Sequence, residues 1–435
     1  YCYPENPEAG IDLFLEKLVQ ETEKEHEDIL EQADETDAVF GELYSWYLRN
    51  PEYRSRVQKL VQSAFAGKPE DIISQSVAKA LYGEVSPYSA TRLERFAACA
   101  FAHFLQYGMK LTERVEYEFK PMDMGNVMHE ALESFAEEVR KRGMKWTELT
   151  EQERNEIADR CLDNIVADYG NTVLKSSARN EYMIERTRRI LRRTVWALQK
   201  QLEQGEFQPE GFEVTFGGGR IDRVDIMEDQ NKVYVKVIDY KTGNTSFDLV
   251  YLYHGLQLQL MIYLDGALRV EQKKYPDKEI IPAGVFYYNI KDPMIQEKID
   301  ADVKAVSAGL MKELKMNGLV QADPELVYRM DSSLGSIPVA FNKDGSFRKN
   351  SSVADRTQFA VLGRYVRTKI EKIRSSILEG DAEVSPYELG KKNACTYCPY
   401  MTVCGFDRRL LGYEFRRLKN FSDEELWKAF DREAE

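Results

Sequence analysis

The chain has 435 residues, 43% apolar and 31% charged, enough for two or three structural units around at least one sizeable core. No apolar run approaches the roughly 18 residues that span a bilayer and no signal-peptide pattern is present, so membrane and secreted classes recede and a cytoplasmic setting is expected. The formal charge of −13 argues against a nucleic-acid partner only until its distribution is read: residues 1–50 hold fourteen acids against Lys17, Lys24 and Arg49, which leaves the rest nearly neutral and able to carry a locally basic channel.

The chain opens on Tyr1 in mid-pattern, and a longer parent polypeptide is expected. Ile11, Leu13, Phe14, Leu18 and Val19 recur at helical spacing before an acidic run, which reads as a solvated helix, and residues 51–82 read as helical again. A helix behind Ser86 or Ser89 sets Leu93, Phe96, Ala97, Phe101, Phe104 and Leu105 on one apolar face, with Cys99 on the same packed helix. Residues 125–144 form another amphipathic helix. Two long helices follow to about Gln201, the second carrying Arg186, Arg188, Arg189, Arg192 and Arg193 as either a solvated or a phosphate-facing stripe. From Phe212 to Ile238 the period shortens to that of strands, in FEVTFGG, GRIDRVDIM and KVYVKVIDYK. A helix from about Gly255 to Val270 and the strand IPAGVFYYNI come next. Residues 296–380 read as mostly helical around an irregular interval near 330–350, and the tail holds a cysteine cluster and two short helices. This order describes an α/β core with an appended helical region, without internal repeats.

Asp222 in GGGRIDRVDI and Asp239 in VIDYKTG stand on predicted strands, and alternation puts Asp239 and Lys241 on one face. An isolated carboxylate at a strand end is usually a turn acceptor. Two of them with a lysine one step away make a compact hydrolytic unit, in which carboxylates hold a divalent ion and the lysine orients water or helps to deprotonate it. His129, one helical turn after Gly125, is a third candidate ligand, and a histidine with two carboxylates favours Mn²⁺ while still accepting Mg²⁺. Gln259 and Tyr263 are one turn apart and share a helix face near Lys241. Glu213 is a weaker candidate for the same cavity, and His254 reads as structural or surface. Neither GxGxxG nor GxxxxGK[ST] occurs, so this part of the protein has no ATP-hydrolysing motor.

CTYCPYMTVC spaces Cys395, Cys398 and Cys404 as metal ligands are spaced. A fourth donor is needed, and Cys99 suits it best, since Cys2 is close to the chain start and Cys161 lies in a polar helix. Four thiolates hold either Zn²⁺ or an iron-sulfur cluster, and spacing does not decide between them.

These elements together resemble the PD-(D/E)XK nucleases of the RecB-like branch: His129 in GNVMHEALESF, Asp222 in GGRIDRVDI, Asp239 and Lys241 in VIDYKTG, and Gln259 with Tyr263 in QLMIY. The resemblance implies a restriction-endonuclease-like core, a small mixed sheet flanked by helices, with helical additions and a four-cysteine iron-sulfur staple. It implies metal binding by His129, Asp222, Asp239 and the Tyr240 carbonyl, with Lys241 acting on the attacking water. The first acidic element here, Ile221-Asp222, lacks the proline of the family signature. With Cys99 and Cys395, Cys398 and Cys404, the stretch from about 84 to 410 is similar to the nuclease part of the B subunits of bacterial AddAB-type helicase-nucleases. That likeness implies a 4Fe-4S cluster rather than Zn²⁺, an AddA-like partner subunit, and cleavage of single-stranded DNA during recombinational break repair. The organisation expected is an acidic helical segment over 1–83, the stapled nuclease domain over 84–410 and a helical tail over 411–435. A free-standing RecB-like exonuclease and a non-catalytic iron-sulfur or zinc DNA-binding scaffold are the competing readings.

Overall fold

The computed structural model describes residues 35–64, 72–83, 89–112, 121–168, 177–217, 219–295, 302–410 and 412–434. The expected acidic opening helix and Cys2 lie outside them. The chain divides into two compact units, one comprising Val85–Ala97, Thr112–Ser375 and Asn420–Glu435, the other Ala98–Leu111, Ser376–Lys419 and the residues up to Glu84.

The larger unit is built on six strands in spatial order, β1 (Gln208–Phe216), β2 (Gly219–Asp229), β3 (Lys232–Lys241), β4 (Glu279–Asn289), β5 (Asn317–Gln321) and β6 (Val353–Ala354). A tight turn at Gln230, where φ is +40°, joins β2 to β3 antiparallel. β3 and β4 are parallel, which requires a crossover, and the chain supplies a helical one. β4–β5 is antiparallel and β5–β6 parallel, so the sheet is mixed.

The helices lying wholly or mainly in this unit are α1 (Ala90–Ala98), α2 (Pro121–Lys141), α3 (Glu151–Asp168), α4 (Ala178–Leu202), α5 (Leu249–Tyr253), α6 (Gln259–Lys274), α7 (Val303–Glu313), α8 (Pro324–Met330), α9 (Arg356–Glu379) and α10 (Asp423–Ala434). One sheet face carries Ile238, Tyr240, Phe286 and Tyr288 into a core with Met128 and Phe135 of α2 and Leu191 and Leu198 of α4, all buried. Each such side chain contributes roughly 1.5–3 kcal/mol on leaving water. The crossover helix α6 packs against β2, β3 and β4, burying Leu260, Tyr263 and Leu264. The site-bearing strands are thus held between two helical layers.

The smaller unit contains the helices Glu35–Arg49 and Pro51–Ala64, packed around buried Tyr47 and Val57. It also contains the helix Gln75–Tyr82, capped by Ser74, and a three-stranded sheet of β7 (Tyr387–Leu389), β8 (Lys392–Asn393) and β9 (Arg416–Arg417) with β7 central.

Three sequence expectations change. The single helix through Cys99 is interrupted there, with Cys99 extended (φ −165°, ψ 118°) between Ala98 and Ala100, and it resumes as Ala100–His103 and a π-helical turn over Phe104–Gly108. The helix expected from Gly255 begins at Gln259, because Gly255 takes φ +78° and closes α5. Residues 296–380 include β5 and β6 beside the helices. NGLVQ is too short for its period to declare itself, and Leu319 and Val320 become strand residues only because β4 offers a free edge.

Candidate active site

Arg223 pairs with Ile238 across β2 and β3, so Asp222 and Asp239 are the next residues out on the two strands and leave the same face. Asp222 is fixed by the Tyr240 backbone N–H, which donates to its Oδ2 at 2.7 Å. His129 enters from α2: its Nε2 stands 3.1 Å from the Tyr240 carbonyl oxygen, and its Nδ1 lies 3.4 Å from Asp222 Oδ2 and 3.8 Å from Glu213 Oε1. Glu213 arrives from β1 with φ +50°, a conformation an L-residue adopts only where its surroundings hold it, and Arg220 pairs with its other oxygen at 2.5 Å. Ligand atoms of His129, Glu213 and Asp222 all lie within 4.8 Å of one another. Two carboxylates and an imidazole are a donor set that fits a hard or borderline divalent ion.

Lys241 completes the arrangement. Its ammonium is paired with Asp239 Oδ2 at 2.6 Å and donates to Gln259 Oε1 at 2.8 Å. Gln259 in turn donates through Nε2 to the Tyr263 hydroxyl at 2.9 Å. The ammonium also lies 5.5 Å from the centre of the Tyr287 ring. Glu94 of α1 anchors this chain of contacts from behind: one carboxylate oxygen accepts the Leu258 N–H at 2.7 Å and the Gln259 N–H at 2.9 Å. These are donors of the first turn of α6, which have no partner inside the helix.

The electrostatics show a site short of positive charge. Burial pulls the His129 pKa down, but the Asp222 and Glu213 carboxylates overcome it and lift the imidazole to about 10. Burial, and then repulsion from Asp222, push Asp239 up to about 7 against the pull of Lys241 and His129. Glu94 is also raised to about 7, by burial, despite its two backbone donors. Protons gather where anions crowd, and the same field favours a divalent cation.

The structure therefore brings together His129, Asp222, Asp239, Lys241, Gln259, Tyr263 and the Tyr240 carbonyl. Asp239 stands outside the tight group formed by His129, Glu213 and Asp222, in which Glu213, the weaker sequence candidate, is a full member. Glu94 was not legible as a site residue, because its place in an apolar helical pattern gives no sign that its carboxylate turns to another helix. Gly125 is not demanded by packing: a β-carbon there would lie 3.4 Å from Thr242 Oγ1, an ordinary contact. His254 packs against Tyr253 and Phe421. On α4, Arg188 pairs with Asp163 at 2.7 Å, Arg189 with Asp292 at 2.6 Å and Arg192 with Asp159, so each of these three charges is matched by an acid of its own.

Cys99, Cys395, Cys398 and Cys404 all belong to the smaller unit. Among the described residues, no three of their sulfurs lie within 4.8 Å of one another.

A protein-family comparison matches residues 87–405 to the PD-(D/E)XK nuclease superfamily. Among curated proteins, the chain is 41% identical over 423 residues to the B subunit of an ATP-dependent helicase/deoxyribonuclease of Lachnoclostridium phytofermentans, covering 92% of this chain and 36% of that protein. It is 33% identical over 425 residues to the corresponding B subunit of a Thermoanaerobacter species, with 92% and 37% covered. The Clostridium acetobutylicum counterpart is 33% identical over 423 residues, with 92% and 36% covered. The chain thus spans about a third of the length of the curated relatives it matches. With a mixed sheet between helical layers and a His–Glu–Asp group able to hold a metal ion, drawn from α2, β1 and β2, the chain belongs to the PD-(D/E)XK nuclease superfamily.

Proposed function

We propose that this chain is the nuclease part of the B subunit of a helicase-nuclease, and that it is a divalent-metal-dependent deoxyribonuclease hydrolysing single-stranded DNA as broken ends are processed for recombinational repair. The observation that carries this reading is the facing pair Asp222 and Asp239, set against His129 and Glu213 with Lys241 held between Asp239 and Gln259. The relatives' name joins an ATP-dependent helicase to a deoxyribonuclease, and the absence of a phosphate-binding loop motif from this sequence assigns it the deoxyribonuclease share. Their designation as B subunits supports an AddA-like partner.

His129, Glu213, Asp222 and the Tyr240 carbonyl are the donors for the ion, with Asp239 beside them. Bound Mg²⁺ or Mn²⁺ supplies electrophilic pull on a phosphodiester and lowers the pKa of water. Asp239 and Gln259 fix Lys241, whose ammonium orients the attacking water by donating to it and whose amine, once it has given up a proton, can accept one from that water. Tyr263 holds Gln259, and Glu94 holds the start of α6, so the amide presents its oxygen to Lys241.

The test is cleavage of end-labelled single-stranded DNA by anaerobically purified protein with Mg²⁺ or Mn²⁺, wild type against Lys241→Ala. Metal-dependent cutting that the variant loses is expected. Equal cutting by both proteins overturns the assignment of Lys241, and failure of metal to bind at Asp222 and Asp239 overturns the nuclease reading.

Cys99, Cys395, Cys398 and Cys404 are proposed as ligands of a 4Fe-4S cluster that staples the smaller unit. The Cys395 thiol is pushed up to about 12 by burial and then by the nearness of Cys99, Cys398 and Cys404, so the four sulfurs share one field. Burial pushes the Cys99 thiol up, against the pull of the backbone N–H groups of Ala102, Ser385 and Phe101, and the Phe406 N–H donates to Cys404 Sγ at 3.5 Å, the kind of contact that steadies a ligating sulfur. Cys398→Ala is expected to lose iron and sulfide and to lower the melting temperature. Unchanged metal content and unchanged melting in that variant would reject the staple.

A further inference from the structure

A second feature of the larger unit lies on the far side of Tyr263. Residues Ile262, Asp265, Gly266, Arg269 and Lys273 of α6, spaced by three and four, face Gly363, Arg367, Ile370 and Arg374 of α9 across a groove of about 530 Å³. Its near end is Phe216 of β1. That ring lies flat on α6 where Gly266 leaves room, since a β-carbon at Gly266 would come within 2.6 Å of it, and it meets Tyr263 edge to face at 5.9 Å. Tyr263 is tied through Gln259 to Lys241. From Gln259 to Lys273 the helix advances about 21 Å at about 1.5 Å per residue, so one stripe of α6 runs from the catalytic lysine's partner to the end of the groove.

The charge of this groove differs from that of the arginine stripe on α4. Four cations line it, Arg269, Lys273, Arg367 and Arg374, against the single lining acid Asp265. Asp265 spans the two walls, taking Arg269 at 2.7 Å and Arg367 at 2.8 Å, so it sets two guanidiniums side by side while cancelling one charge. Arg374 pairs with Glu371 on its own helix at 3.0 Å, which still leaves cations in excess. Arg269 and Arg367 remain more than half exposed and Lys273 is exposed, so their N–H groups reach solvent. The volume is that of a small-molecule cleft and does not suit the width of a duplex.

We propose that the groove between α6 and α9 carries the phosphate backbone of the single DNA strand that enters the cleavage site, with Arg269, Lys273 and Arg367 as its phosphate contacts. This rests on the nuclease reading above and gives that site a polarity, with the strand lying along α6 and passing Phe216 and Tyr263 on its way to Lys241.

The test measures binding of a fluorescent 20-nucleotide oligothymidylate to the 435-residue chain by anisotropy, in EDTA so that no cleavage is needed, across a series of salt concentrations. Arg269→Ala/Lys273→Ala/Arg367→Ala should weaken binding about ten-fold or more near 0.1 M salt and reduce the slope of log K against log salt by about 2, at roughly 0.7 per lost contact. Arg269→Lys/Arg367→Lys should recover most of the loss. With metal present, the triple variant's deficit should fall on KM more than on kcat. Unchanged affinity and slope overturn the proposal, as does an equal loss in the lysine variant, which would point to a structural role. Unchanged DNA binding with lost affinity for an acidic polypeptide would give the groove to a protein and also overturn it. If wild type binds the strand in this salt-dependent way and cuts nothing, the nuclease reading fails while the groove stands.

Discussion

Two faces of one strand pair carry opposite kinds of charge cluster. On the inner face, Arg223 clamps Asp225 through two bonds at 2.5 and 2.9 Å, Lys236 adds a third contact at 3.0 Å, and all three are buried. Trp146 and Phe212, stacked on each other, lie 5.6 and 5.7 Å from the guanidinium, and Phe207 lies 5.0 Å from Lys236. One residue back along β2, Asp222 points the other way, toward His129 and Glu213 with Asp239 beside them, where carboxylates crowd one another. Burial is similar for Asp222 and Arg223, and chemical type alone would not separate the clusters. The balance of charge does. Burial raises both carboxyls: at Asp225 the fixed cations Arg223 and Lys236 overcome it and the pKa falls, while at Asp239 burial and then repulsion from Asp222 carry it up. The first arrangement holds a fold together, and the second holds its charge in readiness for an ion.

The largest expected effect breaks the outer cluster without touching the inner one. Lys241→Ala should lower cleavage of single-stranded DNA by roughly 10²–10⁴-fold while the circular dichroism spectrum and denaturation midpoint stay near wild type. A coincident loss of stability would merge the two clusters into one structural network.

Asp225→Asn makes the opposite cut. It leaves Arg223 and Lys236 buried without their counter-ion and should cost about 3–5 kcal/mol in urea unfolding, with cleavage per folded molecule largely kept. A change below about 1 kcal/mol would mean that water or another acid replaces Asp225.

Asp239→Asn should separate stability from activity in sign. The folded Asp239 pKa, about 7, is above its ordinary 3.8, so its contribution to metal-free stability is full below pH 3.8 and lost as pH rises through 7. At pH 8 wild type bears that loss. The amide removes the repulsion from Asp222, so the metal-free variant should unfold about 1–3 kcal/mol later than wild type at pH 8 and little differently at pH 4, while cleaving no DNA. Equal or lower stability at pH 8 would show that the Lys241 ion pair outweighs the repulsion.

The smallest effect sharpens the comparison at its edge. Glu94, raised from 4.5 to about 7, contributes stability that is present below pH 4.5 and lost as pH rises through 7. Glu94→Gln keeps an oxygen for the Leu258 and Gln259 N–H groups, so its stability relative to wild type should grow between pH 4.5 and 7 and level off above. A difference that does not vary with pH would limit Glu94 to packing.

Much of this site was legible because strand alternation is strict. Once VYVKVIDYK is a strand, Asp239 and Lys241 must share a face and Tyr240 must turn the other way, and the structure buries Tyr240 in the inner core. The spacing of Gln259 and Tyr263 on a helix was equally binding, and their side chains meet. Glu94 escaped and Glu213 stood only as a weaker candidate, because little that is local marks them. Glu94 matters through a helix end 164 residues away, and Glu213 through a left-handed backbone angle that no periodicity announces.

Local rules of this kind, period two in strands and period 3.6 in helices, let the sequence alone establish an α/β core, the shared face of Asp239 and Lys241 and the metal-like spacing of three cysteines. Only the tertiary structure decided that β3 and β4 run parallel beneath α6, that helix α1 breaks before Cys99, that Glu213 joins His129 and Asp222, and that α6 and α9 enclose a basic groove. Those features depend on which distant surfaces meet. The free energy that selects such a meeting is spread over burial, charge pairing and helix-end satisfaction across the whole unit, and no short stretch of sequence contains it.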